Sequence, residues 1–229
     1  RRATVRNITY AKNAAADSEG NLPPQSKIWS ATRHKDFGRN IRYFLWMLIH
    51  DAYYMGFHWK DMPGHDYKEK CQKCGVTESM ELHILTKCEA RGRKQVWDLA
   101  SEAWQLKTGQ DLSPTPGEIM ACGTITKGNT GETRLYRILV SESAFLIWCL
   151  RNARVIGSKG EPSEREIRNR WLRIVNNRIA LDCALTESAK YGHRSLKKSI
   201  VCKTWSKVLL DEDRLPDDWM RETGVLVGI

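Results

Sequence analysis

Apolar residues recur along this chain mostly at steps of three and four, a period that predicts helices almost from end to end. Val5, Ile8, Ala11 and Ala15 form one stripe over residues 3–16, which Glu19-Gly20-Asn21-Leu22-Pro23-Pro24 ends. From about 36 to 55 the template is filled by Ile41, Phe44, Leu45, Leu48, Ile49 and Ala52. The run Phe44-Leu45-Trp46-Met47-Leu48-Ile49 is apolar on every side, so this helix is expected to be buried almost all round. Val96, Trp97, Ala100, Ala103 and Trp104 mark the inner face of a helix over 91–107, and a short helical turn is expected at Glu118–Cys122. A long helix over 133–156 carries Leu135, Ile138, Leu139, Glu142, Phe145, Leu146 and Cys149 on one face. After a turn at 157–160, Ser163-Glu164-Arg165-Glu166 reads as a capping box. It opens a helix to about 188, with Ile167, Trp171, Ile174, Val175, Leu181 and Leu185 facing inward. A last helix over 195–210 packs Leu196, Ile200, Val201, Trp205 and Val208, and the apolar end 224–229 is expected to tuck back onto the helices. Strand signals are almost absent, so the expected fold class is all-α, an irregular helical domain. Three segments follow: an N-terminal helix and basic linker (1–35), a central helical domain (36–156) and a C-terminal helical region with an acidic tail (157–229).

Composition narrows the class. With 229 residues, 41% hydrophobic and 28% charged, the chain is globular rather than disordered. No stretch approaches the roughly 18–20 apolar residues of a membrane span, so no membrane partner is expected. Seven cysteines, an odd and widely spread set, argue against a secreted disulfide framework and for an intracellular setting, nuclear or cytoplasmic.

The densest chemistry lies in Cys71-Gln72-Lys73-Cys74 and the residues to Cys88. Cys71 and Cys74 can chelate one ion from a tight knuckle that Gly75 helps to turn, and a helix begun at Glu78–Leu82 would carry His83 inward, with Cys88 at its far end. Three thiolates and an imidazole make the closed, four-ligand shell of structural zinc, one Zn2+ held by Cys71, Cys74, His83 and Cys88 in a knuckle between two helices. The bland alternative is a set of buried thiols beside a stray histidine. His50 reads as a half-buried histidine, and His58 and His65 are spare ligand candidates. Cys149, Cys183 and Cys202 read as small hydrophobes on or beside apolar stripes.

Net charge is +10, unevenly spread. Residues 1–60 hold ten basic against four acidic side chains, residues 161–210 eleven against five, and residues 211–229 two against six. A polyanion would meet the first two regions and avoid the tail. Arg33, His34, Lys35, Arg39 and Arg42 form the densest basic run; they would grip phosphates, or they solvate the start of a helix. Around the cysteines, Arg91, Arg93 and Lys94 are further phosphate candidates, although residues 61–110 balance at eight basic and eight acidic. Glu142, alone on its apolar stripe, would pair with an arginine such as Arg151, sit at the stripe's edge, or act as a buried carboxylate.

A wider pattern joins these pieces. Arg42-x-Phe44-x-Trp46 with His50 downstream, then Cys71, Cys74, His83 and Cys88, then a helix bearing Trp97, resembles the zinc-binding domain that follows reverse transcriptase in non-LTR retrotransposons. Ile147, Trp148, Arg151 and Asn152 stand in the order of that family's Ile-Trp-x-x-Arg-Asn motif, and the likeness covers about residues 36–156. Asn169-Arg170-Trp171 and the ending Gly224–Ile229 look like the C-terminal region of fungal retroelement-derived proteins, in which a ribonuclease H domain precedes. The resemblance implies that reverse transcriptase or ribonuclease H domains lie upstream in the same polypeptide and that this piece is accessory to chemistry. The carboxylates here are scattered and form no acidic cluster suited to two-metal hydrolysis, so the chain is not expected to be an enzyme itself.

Two functions remain. One is a nucleic-acid module, RNA or DNA, that contacts phosphates largely without sequence preference through Arg33, Lys35, Arg39, Arg42, Arg91, Arg93 and Lys94. The other is a zinc-stapled structural or protein-interaction lobe that docks on the upstream domains through Trp219 and the apolar tail.

Overall fold

The computed structural model describes residues 2–157, 160–222 and 224–229. The fold is all-α. Nine helices run in the order α1 (Arg2–Glu19), α2 (Gln25–Ala31), α3 (Arg39–His50), α4 (Arg93–Thr108), α5 (Pro116–Ala121), α6 (Thr130–Val155), α7 (Glu164–Ala184), α8 (Ser188–Tyr191) and α9 (Lys198–Trp205) among the described residues. Two isolated bridges, Lys70 with Thr77 and Leu209 with Val227, are the β pairing seen among them. No described helix is long and apolar enough to cross a membrane. The expected turn at 157–160 includes residues 158–159, which lie outside the described residues.

Three helix starts, those of α5, α6 and α7, carry side-chain caps. At the head of α6, Asn129 Oδ1 accepts from the Gly131 and Glu132 amides at 2.8 and 3.1 Å, and Glu132 Oε2 accepts from the Asn129 amide at 3.0 Å. This reciprocal box satisfies donors that a helix N-terminus leaves orphaned. Thr115 and Glu118 do the same for α5. At α7 the half-box suffices, with Ser163 Oγ accepting from the Glu166 amide at 3.1 Å.

The 26-residue α6 is the hub, packed by α3, α4, α5, α7 and α9. Its first turn meets α9 closely: a Cβ on Gly131 would lie 1.9 Å from the Lys203 carbonyl oxygen. Lys107 of α4 reaches the same place, its ammonium donating to the carbonyls of Lys203 and Ser206 at 2.8 and 2.9 Å. One buried apolar cluster extends from Ile8 through Phe44, Trp97, Tyr136 and Trp171 to Trp205 and Val227, drawing on all three sequence segments.

Several expectations change. Helix α3 is buried on one face only: Phe44, Leu45, Leu48 and Ile49 are at most 1% exposed, whereas Trp46 is 46% and Tyr43 60% exposed. The run is apolar all round, but only one side meets other helices. The helix also stops at His50, because Asp51 turns left-handed at φ 50°. In α1 the buried stripe is Asn7, Ile8, Ala11 and Ala15, and Val5 points outward. In α7 Leu181 is exposed and the neighbouring Asp182 is fully buried. Cys149 is exposed rather than on the inner stripe, and Cys122 is the fully buried thiol of the core. The last helix covers only Lys198–Trp205. The tail does tuck back: the Val227 amide donates to Asn176 Oδ1 at 2.9 Å, and Leu210 and Leu226 share a backbone hydrogen bond of 2.8 Å.

Candidate metal centre

Between α3 and α4 the chain makes few long elements, and this is where the four predicted ligands converge. The Lys70–Thr77 bridge closes a small hairpin around the first pair. Inside it the Gly75 amide donates to the Cys71 carbonyl at 2.8 Å and the Cys71 amide to the Val76 carbonyl at 2.9 Å. Gly75 sits at φ 71°, a left-handed conformation that a side chain resists, so its place in the knuckle has a steric reason.

His83 arrives on a single π-type turn, Met80–Ile84, instead of the longer helix expected from Glu78. The His83 carbonyl then accepts from the amides of Lys87 and Cys88 at 2.9 and 2.8 Å, which turns the chain back and brings Cys88 beside its own histidine. Cys88 is therefore delivered by a turn.

The result is one compact group. Donor atoms of Cys71, Cys74, His83 and Cys88 all lie within 4.8 Å of one another and could hold a metal ion. Cys71 Sγ and Cys88 Sγ are 3.8 Å apart, and Cys74 Sγ and Cys88 Sγ 4.0 Å. His83 Nε2 is buried and has no hydrogen-bond partner, which a polar atom tolerates poorly unless something else binds it. Burial lowers the His83 pKa, favouring the neutral imidazole that a ligand must be. Burial also pushes the Cys88 thiol up to about 12, and the adjacent Cys71 and Cys74 add to it. A cation among the three sulfurs would reverse that preference.

The surroundings hold this group in place. The Glu89 amide approaches Cys74 Sγ at 3.3 Å, and Arg93 Nε donates to the Cys88 carbonyl at 2.6 Å. Trp97 of α4 donates its indole N–H to the Leu85 carbonyl at 2.8 Å. On the other side Arg151 of α6 forms a buried ion pair with Glu78. Gly56 lies against the same stretch, where a Cβ would come within 1.9 Å of the Glu78 carbonyl oxygen. Arg151 thus pairs with Glu78 and not with Glu142. Glu142 stays at the edge of its stripe, where burial raises its pKa and Arg178 opposes the rise.

The spare histidines lie elsewhere. His58 stacks on Phe57 at a ring distance of 4.2 Å, His65 packs edge-on to Trp59 at 5.7 Å, and His50 lies against Trp46 and Trp29.

The predicted cationic residues divide into two sets. Beside the cysteines, Arg93 is bonded to the Cys88 carbonyl, Lys94 pairs with Asp98 at 2.7 Å, and Arg91 lies 3.8 Å from Glu161. Each has a local partner, which weakens that set as a free phosphate surface. Arg33, Lys35, Arg39 and Arg42 are all exposed. Arg42 keeps one bond, Nε to the Phe37 carbonyl at 2.9 Å. Trp219 and Val227, in contrast, are 9% and 5% exposed. Much of the tail is covered by its own chain, with Leu226, 41% exposed, as its outward apolar residue.

One buried cluster has no counterpart in the sequence reading. Asp36 accepts from Arg134 Nε at 3.0 Å and Arg137 Nη1 at 2.7 Å. Asp182 accepts from both terminal nitrogens of Arg134 and, at 2.8 Å, from the Trp205 indole. Burial works against the Asp36 carboxylate, yet the Arg134 charge and the Arg137 hydrogen bond outweigh it and hold the group below the usual carboxylate range. The isolated acid on the apolar face of α7 was the available signal. Its partners, 48 and 23 residues away, were not visible.

Comparisons with protein-family models, with curated proteins and with solved structures each find no match.

Proposed function

We propose that the chain is a zinc-stapled accessory module of a retrotransposon-type polyprotein, akin to the reverse transcriptase zinc-binding domain, and that it binds nucleic acid through phosphate contacts. Zinc is the ion that suits the donors: three thiolates and an imidazole are soft to borderline ligands, a poor set for magnesium or calcium. Tetrahedral sulfurs about 2.3 Å from a zinc ion lie roughly 3.8 Å apart, close to the spacings between Cys88 and its two partners. Four protein ligands leave no open position, so the ion would supply folding energy and no reaction step. A thiol-rich site of this kind belongs in a reducing compartment, nuclear or cytoplasmic.

The observation that carries the nucleic-acid reading is the sorting of charge in residues 33–42. Arg33, Lys35, Arg39 and Arg42 are exposed, while the one acid among them, Asp36, is buried against Arg134 and Arg137. The exposed charged side chains there are all basic. A polyanion would gain by releasing its counterions on such a surface. Reverse transcriptase or ribonuclease H domains upstream would supply the chemistry.

The test is affinity for RNA and for duplex DNA across a salt series. Binding is expected to weaken linearly on a log–log plot, and Arg39→Glu with Arg42→Glu should reduce the slope by about 1.5–2. A slope near zero, or affinity unchanged by the charge reversal, would overturn the reading.

A further inference from the structure

Helix α3 carries more than charge on its free side. Steps of three and four residues align Arg39, Tyr43, Trp46 and His50 along one stripe. The opposite face, Phe44, Leu45, Leu48 and Ile49, already meets the core, so burial does not account for the aromatics outside. Tyr43 is 60% exposed and Trp46 46%. Trp46 is also braced: its ring lies 4.4 Å from His50, which stacks at 4.8 Å and 22° on Trp29 of α2. An exposed Tyr43, a Trp46 braced against His50, and the exposed Arg39 and Arg42 on the same helix combine the two components of a single-strand platform.

Charge decides against the other exposed aromatic patch. The loop over residues 54–70 shows Tyr54, Phe57 and Tyr67 to solvent, but its Lys60, Lys68 and Lys70 are balanced by Asp61, Asp66 and Glu69. Lys68 there already lies over the rings of Trp59 and Tyr67. Along residues 25–50, by contrast, the single carboxylate is the buried Asp36.

We propose that the outer stripe of α3 is a stacking platform for single-stranded nucleic acid, with bases on Trp46 and Tyr43 and phosphates on Arg39 and Arg42. The proposal rests on the nucleic-acid reading above and narrows its partner. Unpaired bases have free faces to stack, whereas a duplex offers the same phosphates with its bases already stacked on each other. Every base has such a face, so recognition would tolerate any sequence.

Fluorescence anisotropy with the full chain would test this, using labelled RNA and DNA single strands of about 16 nucleotides and the matching duplexes. Trp46→Ala combined with Tyr43→Ala is expected to weaken single-strand binding about tenfold or more and to change duplex binding by less than about twofold. Trp46→Phe should retain most of the single-strand affinity, and Tyr43→Ala alone, at an exposed position, provides a variant in which folding is not at issue. Arg39→Glu with Arg42→Glu should weaken both substrates. Equal losses on single strand and duplex from the aromatic variants, or no loss on either, would overturn the platform while leaving phosphate binding in place. Wild-type protein that binds neither substrate at low salt would overturn both readings.

Discussion

Arg134 grips the carboxylate of Asp182 with both ends of its guanidinium, Nη1 donating to Oδ2 at 2.6 Å and Nη2 to Oδ1 at 2.8 Å. The two side chains are 5% and 0% exposed. Through Asp36, Thr204 and Trp205 the pair links the start of the central segment to α6, α7 and α9. Removing one member strips the other of its bidentate partner in the interior, leaving Asp182 with Arg178 at 3.5 Å or Arg134 with Asp36 at 3.0 Å as the remaining opposite charge. Arg134→Ala or Asp182→Ala is therefore expected to cost about 3–5 kcal/mol. The paired replacement Arg134→Met with Asp182→Leu should cost less than the sum of the two single changes, although Arg178 and Asp36 each lose one charged partner. Denaturant melts of all three variants check this; an Arg134→Ala protein as stable as wild type would contradict it.

The same cluster predicts an acid response. Asp36 is held below the usual carboxylate range, so its contribution is present above its unfolded pKa of about 3.9. It fades as pH falls through the lower, folded value. Asp36→Asn should thus be less stable than wild type at neutral pH, and the gap should narrow steadily below about pH 4. Stability curves of the two proteins between neutral pH and acid measure it. A gap that widens in acid would reverse the assignment.

One zinc per chain is expected, and Cys71→Ser or Cys88→Ser should abolish stoichiometric binding. Apparent binding energies of structural zinc run to about 10–16 kcal/mol in isolated fingers, more than enough to decide whether residues 69–90 hold their shape. Chelator should expose this stretch to protease while most of the helical circular dichroism survives, because α6 also packs directly on α4, α7 and α9. Metal analysis of the purified chain that finds no zinc would remove the staple from the proposed function.

Arg151 and Glu78 join that stretch to the hub. Arg151→Ala leaves Glu78 buried without a partner, and a loss of about 3–5 kcal/mol is expected. Zinc should also leave faster from this variant in a chelator competition, since the ion pair holds the segment just before His83. Stability and zinc release both matching wild type would show that the pair is incidental to the metal loop.

Gly131 tests how closely α6 and α9 must approach. A Cβ there would fall on the Lys203 carbonyl, so Gly131→Ala must push the helices apart despite its better helix propensity. A loss of about 1–3 kcal/mol is expected in thermal or denaturant unfolding. A gain in stability would mean that the crossing is loose.

What could be read from residues alone was mostly governed by short separations, although α2 and the π-type turn carrying His83 were not among it. The three- and four-residue period located α3, α4 and α6, and the buried stripe of α4 is the one predicted, because a helix sets its own faces. Cys71, Cys74, His83 and Cys88 lie within eighteen residues, so local turns suffice to gather them. Which of two apolar sides of α3 meets the core, why Asp182 rather than Leu181 points inward, and that Arg151 answers Glu78 were decided by tertiary structure. The polar outcomes among them depend on groups 23 to 73 residues apart, and a buried charge chooses its partner only once the helices have brought the candidates together. The exposed Tyr43–Trp46 stripe belongs to the same class: hydrophobicity told that these rings are apolar, and only packing left them facing water.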